Sequence, residues 1–305
     1  MAKAVFTTKV DPVYDDLPEN RYHFPPSYLN QVQSALNDWI VYYEPRRTTG
    51  SLSSSGGRQS YFAVARVTGI KKDPKNAGYF YAFVDEYLEF DRPVPFREGD
   101  KTYENQLTKS DGSTNKGAFG RSVRNISDFE FDLILTAGYS RSISESLHPI
   151  ATDNIRQPRY DGLSEAEQAT YHRPVIERLV SRPFRDIAFV GAVKDAYLNT
   201  CAMTGLKIIN GGGRAEVQAA HIKPVAEDGP DSVRNGLALS GTIHWMFDRN
   251  LISIDEDYSI LVAKDKVPDT IGRMLNLDRR LILPKRPEFW PHAQYLKHHR
   301  QKFKG

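Results

Sequence analysis

This chain of 305 residues lacks paired cysteines and long apolar runs, two features that mark other classes of protein. It contains a single cysteine, Cys201, which excludes an intrachain disulfide and any structural zinc site built on two or four thiolates. Any metal ion must therefore be held by His, Asp, Asn and water, and Cys201 itself is expected to be a small buried apolar residue.

Long apolar runs are missing as well. No segment approaches the ~20 apolar residues that a membrane-spanning helix needs. The first ten residues, MAKAVFTTKV, lack the apolar core of a signal peptide. The composition is 40% hydrophobic and 26% charged, which is typical of a soluble globular protein. We therefore expect a cytoplasmic protein without a membrane partner.

The formal net charge of +3 is distributed unevenly. Residues 279–305 contain eight Lys or Arg and one acid, so this segment carries 8 − 1 = +7 and the remainder 3 − 7 = −4. Such a basic patch is typical of a protein that binds a phosphate backbone, although a solvated C-terminal helix would give the same pattern. The three histidines in this segment are expected at the surface or on phosphate; they are His292, His298 and His299.

The first part of the chain reads mostly as strands. Aromatic and β-branched residues dominate three runs, at 39–44, 61–67 and 79–90, and a fourth run, at 129–135, fits a helix or a strand. A Ser- and Gly-rich segment at 48–60 predicts a loop between two strands. A polar, proline-containing stretch follows, and within it Ser164 and Glu167 form a capping box that predicts a short helix over 164–171.

The last part of the chain has a different pattern. Phe189, Val193 and Tyr197 recur at four-residue steps, which predicts an amphipathic helix over 184–198. The segments that follow predict a strand, a second strand, a helix and a hairpin, at 217–222, 237–239, 242–250 and 251–262.

Four polar residues fall at the ends of these predicted elements. His221 ends a strand that Pro224 stops, and Asn235 precedes the return strand. His244 and Asp248 lie four residues apart, on one face of the predicted helix, where they could hold one metal ion. A histidine suits a general base because its pKa lies near neutrality. The spacing therefore favours a metal-dependent site for phosphodiester hydrolysis. The alternative is that these are unrelated polar residues in an ordinary core.

This series, Ala-Ala-His221-Ile-Lys-Pro, Asn235-Gly-Leu-Ala-Leu and His244-x-x-Phe-Asp248, resembles the HNH nuclease motif on a ββα-metal finger. The resemblance extends over about residues 182–303. It implies His221 as general base, Asn235 as the residue that orients the loop of the finger, and His244 as metal ligand, with Asp248 as a second ligand. Many members carry Asp or His directly before the base. This chain has Ala220 there, and Gln218 points to the same side of the strand.

The aromatic residues of the first part interleave with arginines, a combination that stacks on bases and holds phosphates. The segments 37–45 and 61–67 resemble paired strands of PUA-superfamily barrels, the EVE and SRA-like domains, over about residues 10–140. That resemblance implies a pocket for a flipped, modified base, with Trp39, Tyr43 and Tyr22 as its expected walls. Predicted DNA contacts in the whole chain are Arg46, Arg47, Arg58, Lys223, Arg279 and Arg280.

The expected fold class is therefore α+β. A PUA-like β-barrel domain is predicted at 1–140, a linker with a short helix at 141–180, and an HNH domain at 181–305. The combination implies a modification-dependent, type IV-like DNA endonuclease that reads 5-methyl- or 5-hydroxymethylcytosine in double-stranded DNA. It would use Mg²⁺ or Mn²⁺ (Co²⁺ or Ni²⁺ in vitro) and act as a homodimer. The alternatives are an HNH endonuclease with ordinary sequence or RNA recognition, and a non-cleaving nucleic-acid-binding protein with a degenerate finger.

Overall fold

The computed structural model describes residues 2–8, 16–45, 59–99, 101–147 and 179–305. The α+β class is confirmed, and the chain forms two compact units, of which the second consists mainly of Phe189–Gly305. The predicted loop, up to residue 58, and the predicted short helix at 164–171 lie outside the described residues. Among the described helices, none combines the length and the apolar character needed to cross a bilayer.

The first unit is organised around a six-stranded sheet. Its strands are β1 (Lys3–Thr7), β2 (Arg21–Phe24), β3 (Trp39–Glu44), β4 (Ser60–Lys72), β5 (Phe80–Pro95) and β8 (Val123–Ile126). They lie in the order β2-β5-β4-β3-β1-β8, and the pair β1–β3 is parallel. A two-stranded ribbon, β6 (Arg97–Glu98) with β7 (Lys101–Thr102), accompanies the sheet. The helices are α1 (Leu29–Ser34), α2 (Lys116–Phe119), α3 (Asp128–Gly138) and α4 (Ser140–Leu147).

The sheet is curled into an open half-barrel. The hydroxyl of Tyr22, on the edge strand β2, donates to the carbonyl oxygens of Thr7, 3.1 Å away, and Ser122, 3.3 Å away. Thr7 and Ser122 lie at the opposite edge of the sheet, so these bonds draw the two edges toward each other. In the strand order β2 and β8 remain the two outer strands. The closed PUA-like barrel expected from the sequence is therefore not confirmed.

The predicted strands at 39–44, 61–67 and 79–90 are confirmed as β3, β4 and β5. The ambiguous run at 129–135 is helical, because its start is capped rather than paired. Ser127 Oγ accepts from the backbone N–H of Glu130, whose carboxylate in turn accepts from the N–H of Ser127. This reciprocal cap satisfies two backbone donors that would otherwise be unpaired.

The second unit contains the elements predicted around the polar series. They are α5 (Arg182–Ala196, which begins in the first unit), β9 (Gln218–His221), β10 (Gly236–Leu239), α6 (Gly241–Asp248), β11 (Ile252–Ile254), β12 (Ile260–Val262), α7 (Asp269–Met274) and α8 (Ala293–Arg300). β9 pairs antiparallel with β10, and β11 with β12. Phe189, Val193 and Tyr197 are buried in one apolar core with Cys201, as their pattern predicted.

Gly236 allows helix α5 to pack against the start of β10. A Cβ atom at this position would lie 2.5 Å from Cγ2 of Val193 and 3.2 Å from the ring of Phe189. The backbone of Gly236 is extended, with φ −127° and ψ 147°, a conformation that any residue can adopt. Its role is close approach of a helix to a strand rather than unusual backbone geometry.

The first unit contains a buried ion pair. Arg124 donates from Nε and Nη2 to the two carboxylate oxygens of Glu104, at 2.8 and 2.7 Å, and both side chains are fully buried. The hydroxyl of Tyr61 donates to the same carboxylate at 2.7 Å, and the ring of Tyr43 lies against the guanidinium. With its hydrogen bonds satisfied, the pair offsets the desolvation that a buried charge costs.

Arg124→Gln should destabilise the first unit by about 3–5 kcal/mol, because it leaves the carboxylate of Glu104 buried without its partner. The measurement is the free energy of unfolding in denaturant. Arg92→Gln is the matched control, since Arg92 is half-exposed in its pair with Glu98 and such a pair contributes about 0–1 kcal/mol. Equal losses in the two variants would contradict a stabilising role for the buried pair.

Candidate active site

His221 lies at the end of β9, where it pairs with Gly236 of β10. Its Nε2 lies 3.0 Å from Oδ1 of Asp231, and its ring stacks on Phe189 with the centroids 3.8 Å apart and the planes inclined by 10°. A carboxylate oxygen only accepts, so Nε2 carries the proton and Nδ1 is the basic nitrogen. Stacking and hydrogen bond together fix both the ring orientation and the tautomer.

Asp231 is a residue that the sequence analysis missed. It is 3% exposed, in the loop between β9 and β10, and its side chain reaches back ten residues to His221. Nothing in the local sequence distinguishes it from the neighbouring acids Glu227 and Asp228. The signal that was available is its position directly after Pro230. The loop there connects the paired strands β9 and β10 and must therefore return close to β9.

Asn235 holds the same loop closed from its other end. Its side chain is fully buried; Oδ1 accepts from the backbone N–H of Lys223 at 2.8 Å, and Nδ2 donates to the carbonyls of Lys223 and Pro230, each at 2.9 Å. These three bonds join the strand exit to the residue before Asp231. The arrangement is suited to orienting the loop, the role that the sequence resemblance implies for Asn235.

His244 lies on helix α6, and its two ring nitrogens have different partners. Nδ1 is 2.7 Å from Oε1 of Gln218 on β9, so Nδ1 donates and Nε2 keeps its lone pair. Nε2 lies 3.4 Å from Oδ2 of Asp248, one turn further along the helix. Gln218 therefore contacts His244 and selects the tautomer in which Nε2 is free to bind a metal ion.

The pair His244 and Asp248 fits a divalent ion in its donor chemistry and spacing. In the octahedral shell of Mg²⁺, two adjacent ligand atoms about 2.1 Å from the ion are separated by roughly 3.0 Å, so the observed 3.4 Å would shorten only slightly on binding. Among the described residues, no cluster of three or more His, Cys, Asp or Glu side chains could hold a metal. An ion bound here would complete its coordination with water and substrate phosphate, as Mg²⁺ commonly does.

An open pocket of about 540 Å³ brings these groups together. His221, His244 and Asp248 all line it. Ala219 also lines the pocket, whereas Ala220, at the position where the resemblance led us to consider a metal ligand, is buried in the apolar core. An acid at position 220 would therefore have to be accommodated among apolar side chains.

Helix α8 forms one wall of the pocket, with His298, His299 and Lys302. His299, expected at the surface or on phosphate, is instead buried: it is 7% exposed and stacks on Phe247 at 3.8 Å. Its Nε2 donates to the carbonyl of Phe247 and its Nδ1 accepts from Ser253. Burial lowers the pKa of His299 to about 4, so the ring is neutral near pH 7. Its spacing from Tyr295 and Leu296 could have indicated the buried face.

The predicted DNA contacts are not gathered at the pocket. Lys223 is part of the loop that Asn235 clasps, and its backbone, rather than its ammonium group, makes the described bonds. Arg279 and Arg280 are exposed, and Arg280 pairs with Asp257 at 3.2 Å. None of these three lines the pocket. The remaining predicted contacts, Arg46, Arg47 and Arg58, lie outside the described residues.

The three aromatic residues predicted for a base pocket are all buried in the first unit, Trp39 at 5% exposure. Tyr43 contacts Tyr61 on the face of the sheet that carries Arg124. Tyr22 instead packs on Phe6, on the other face, with ring centroids 4.7 Å apart. The structure thus places Tyr22 and Tyr43 on opposite faces rather than in one cluster.

Gln218→Leu should weaken binding of a divalent ion by about 10–100-fold, because Nδ1 of His244 loses the acceptor that sets its tautomer. Isothermal titration of the full chain with Mn²⁺ measures the effect. Gln301→Leu makes the same chemical change at an exposed position of the second unit and should leave the affinity unchanged. Similar affinities for Gln218→Leu and the control would exclude Gln218 from this role.

Two comparisons with solved structures give distant likenesses. A structure titled "Modification dependent TagI restriction endonuclease" has 15% identity and a TM-score of 0.31, over 99% of this chain and 81% of that one. A structure titled "Structure of the Type IV phosphorothioation-dependent restriction endonuclease ScoMcrA" has 12% identity and a TM-score of 0.19, over 80% of this chain and 52% of that one. Both TM-scores are too low to establish a shared fold.

Sequence comparison is more specific for the site. No curated protein matches the chain significantly. Residues 201–255, however, match a family model described as HNH endonuclease. The matched segment contains His221, Asn235, His244 and Asp248, together with the newly identified Asp231. The chain therefore carries an HNH domain. Residues of this domain line the pocket together with residues of helix α8 and the segment after it.

Proposed function

We propose that this protein is a metal-dependent DNA endonuclease whose hydrolytic site is the pocket of the second unit. The observation that carries the proposal is that one pocket contains two histidines whose side-chain partners favour opposite tautomers. Asp231 fixes the tautomer of His221, and Gln218 fixes that of His244. Two opposite tautomers, each set by a different neighbour, match the two different roles that phosphodiester hydrolysis requires.

His221 has the position of the general base. Nδ1 would take the proton of the attacking water, while the carboxylate of Asp231 keeps Nε2 protonated and the ring in place. Phe189 restricts rotation of the ring without offering it another acceptor. Asn235 acts at a distance from the reacting atoms, by closing the loop that carries Asp231.

The metal site of the proposal is His244 with Asp248. A divalent ion bound there, Mg²⁺ or Mn²⁺, would stabilise the negative charge that develops on the scissile phosphate and the leaving oxygen. The open side of the pocket leaves room for a DNA backbone beside these two residues.

For the first unit we propose recognition of DNA that carries a modified cytosine, with the base flipped out of the duplex. The sequence resemblance to PUA-superfamily readers and the density of aromatic side chains on the curled sheet support this assignment. Flipping costs a few kcal/mol of stacking and pairing, which contacts with aromatic rings would recover. Because one HNH site cuts one strand, a double-strand break would require two copies, and a homodimer is part of the proposal.

Tyr43 is the aromatic residue that the structure supports best as a contact to the base. Its hydroxyl is buried, and among the described residues it has no hydrogen-bond partner. A buried hydroxyl without a partner costs about 1–3 kcal/mol, a cost that a bound ligand would remove. The neighbouring ring of Phe119 is partly exposed, with its centroid 6.3 Å away.

His221→Ala should abolish DNA cleavage and leave DNA binding intact, because only the base is lost. Asp231→Asn should reduce the cleavage rate by about two orders of magnitude or more, since an amide can donate to Nε2 and favour the wrong tautomer. Single-turnover cleavage with Mn²⁺ and binding without metal measure the two effects separately. Cleavage by His221→Ala at the wild-type rate would remove this residue from the base role.

Matched plasmids, one with 5-methyl- or 5-hydroxymethylcytosine and one unmodified, test the recognition. With Mg²⁺ or Mn²⁺ present, the proposal expects cutting of the modified plasmid alone. Equal cutting would favour an HNH endonuclease with ordinary sequence recognition, and preferential cutting of RNA would favour an RNA enzyme. Retention of DNA without cutting would indicate a non-cleaving binding protein. In the same assay, Trp39→Ala and Tyr43→Ala should erase the preference for modified DNA.

A further inference from the structure

The wall of the pocket formed by helix α8 and the residues after it carries two hydrogen-bond donors that the proposed hydrolysis does not use. His298 and Lys302 lie four residues apart, on the helix and just after it, and both line the pocket. They lie against Glu227 of the loop after β9, which lines the same pocket. His221 and His244 line this pocket as well.

A single carboxylate at present pairs with both side chains. Glu227 accepts from Nε2 of His298 at 2.7 Å and from the ammonium group of Lys302. These two hydrogen bonds, with that of Lys302 the stronger, lower the pKa of Glu227. Glu227 is itself 40% exposed in its side chain, so water and solutes have access to this contact.

A carboxylate between two donors occupies the same chemical environment that a phosphate group would occupy. Both are anions with several acceptor oxygens, and both form charge-assisted hydrogen bonds with Lys and His⁺. The pair is partly exposed to water, so the exchange of one anion for the other costs little. A phosphodiester of a DNA strand carries the same single negative charge and two equivalent acceptor oxygens, and the strand adds further phosphate contacts that Glu227 cannot offer.

We propose that His298 and Lys302 form a second phosphate-binding subsite of the pocket, which Glu227 occupies until a nucleic-acid strand displaces it. The phosphate is one that neighbours the scissile group on the same strand. This inference rests on the proposed nuclease function and adds to it the residues that hold the strand. The subsite orients the nucleic-acid backbone across His221 and His244. Glu227 disfavours binding of small anions, which make too few other contacts with the protein to displace it.

The experiment measures the affinity of the full chain for a DNA duplex as a function of salt, without divalent metal so that the strand stays intact. Each phosphate contact contributes about 0.9 to the slope of log K against log salt. Lys302→Gln should lower that slope by about 0.9 and weaken binding several-fold at ~0.1 M salt. Lys302→Arg retains the charge and should keep the slope.

Two further variants make the test specific. Lys297→Gln removes the same charge from an exposed position of α8 that does not line the pocket, and it should change the slope little. Glu227→Gln removes the competing carboxylate and should tighten DNA binding several-fold. Equal slopes for Lys302→Gln and Lys297→Gln would overturn the subsite, as would unchanged affinity in Glu227→Gln. If the wild-type chain binds no DNA at all, the proposed function itself fails.

Discussion

The site depends on the closure of one loop by the side chain of Asn235. Fourteen residues separate His221 from Asn235, and over that distance an unrestrained loop would place Asp231 at many distances from the imidazole. Three hydrogen bonds from one buried amide tie the beginning of this loop to its end. Because those bonds are shielded from water, losing the amide would leave several backbone groups buried and unsatisfied, a cost that makes the closed loop strongly preferred.

Within the site that this loop closes, His221 and His244 adopt opposite tautomers although their surroundings are similar. Both rings lie at the edge of the same two-stranded sheet and helix, and both have a single strong side-chain partner on one nitrogen. The difference is in which nitrogen is engaged: Nε2 for His221 and Nδ1 for His244. The two acceptors, a carboxylate for His221 and an amide oxygen for His244, thus leave the lone pair on Nδ1 of the first ring and on Nε2 of the second.

Much of this arrangement follows from sequence. The strand, strand and helix around His221, Asn235 and His244 follow from short apolar runs with proline and glycine at their ends, and those elements are where they were expected. The position of Asp231 and the burial of His299 are harder to predict from sequence, because each depends on which distant part of the chain packs against the residue. The same limit applies to the first unit: alternation predicts its strands, but the order of strands and the open edge depend on pairings between residues far apart, such as Tyr22 with Ser122.

Gly236 couples the evolution of this site to that of helix α5, which packs against it. Any side chain there would collide with Val193 and crowd Phe189, the ring on which His221 rests. A mutation to alanine in an ancestor could survive only after position 193 had become smaller. Among descendants of this chain, positions 193 and 236 should therefore vary together, because compatible side chains there preserve the packing of Phe189 against His221.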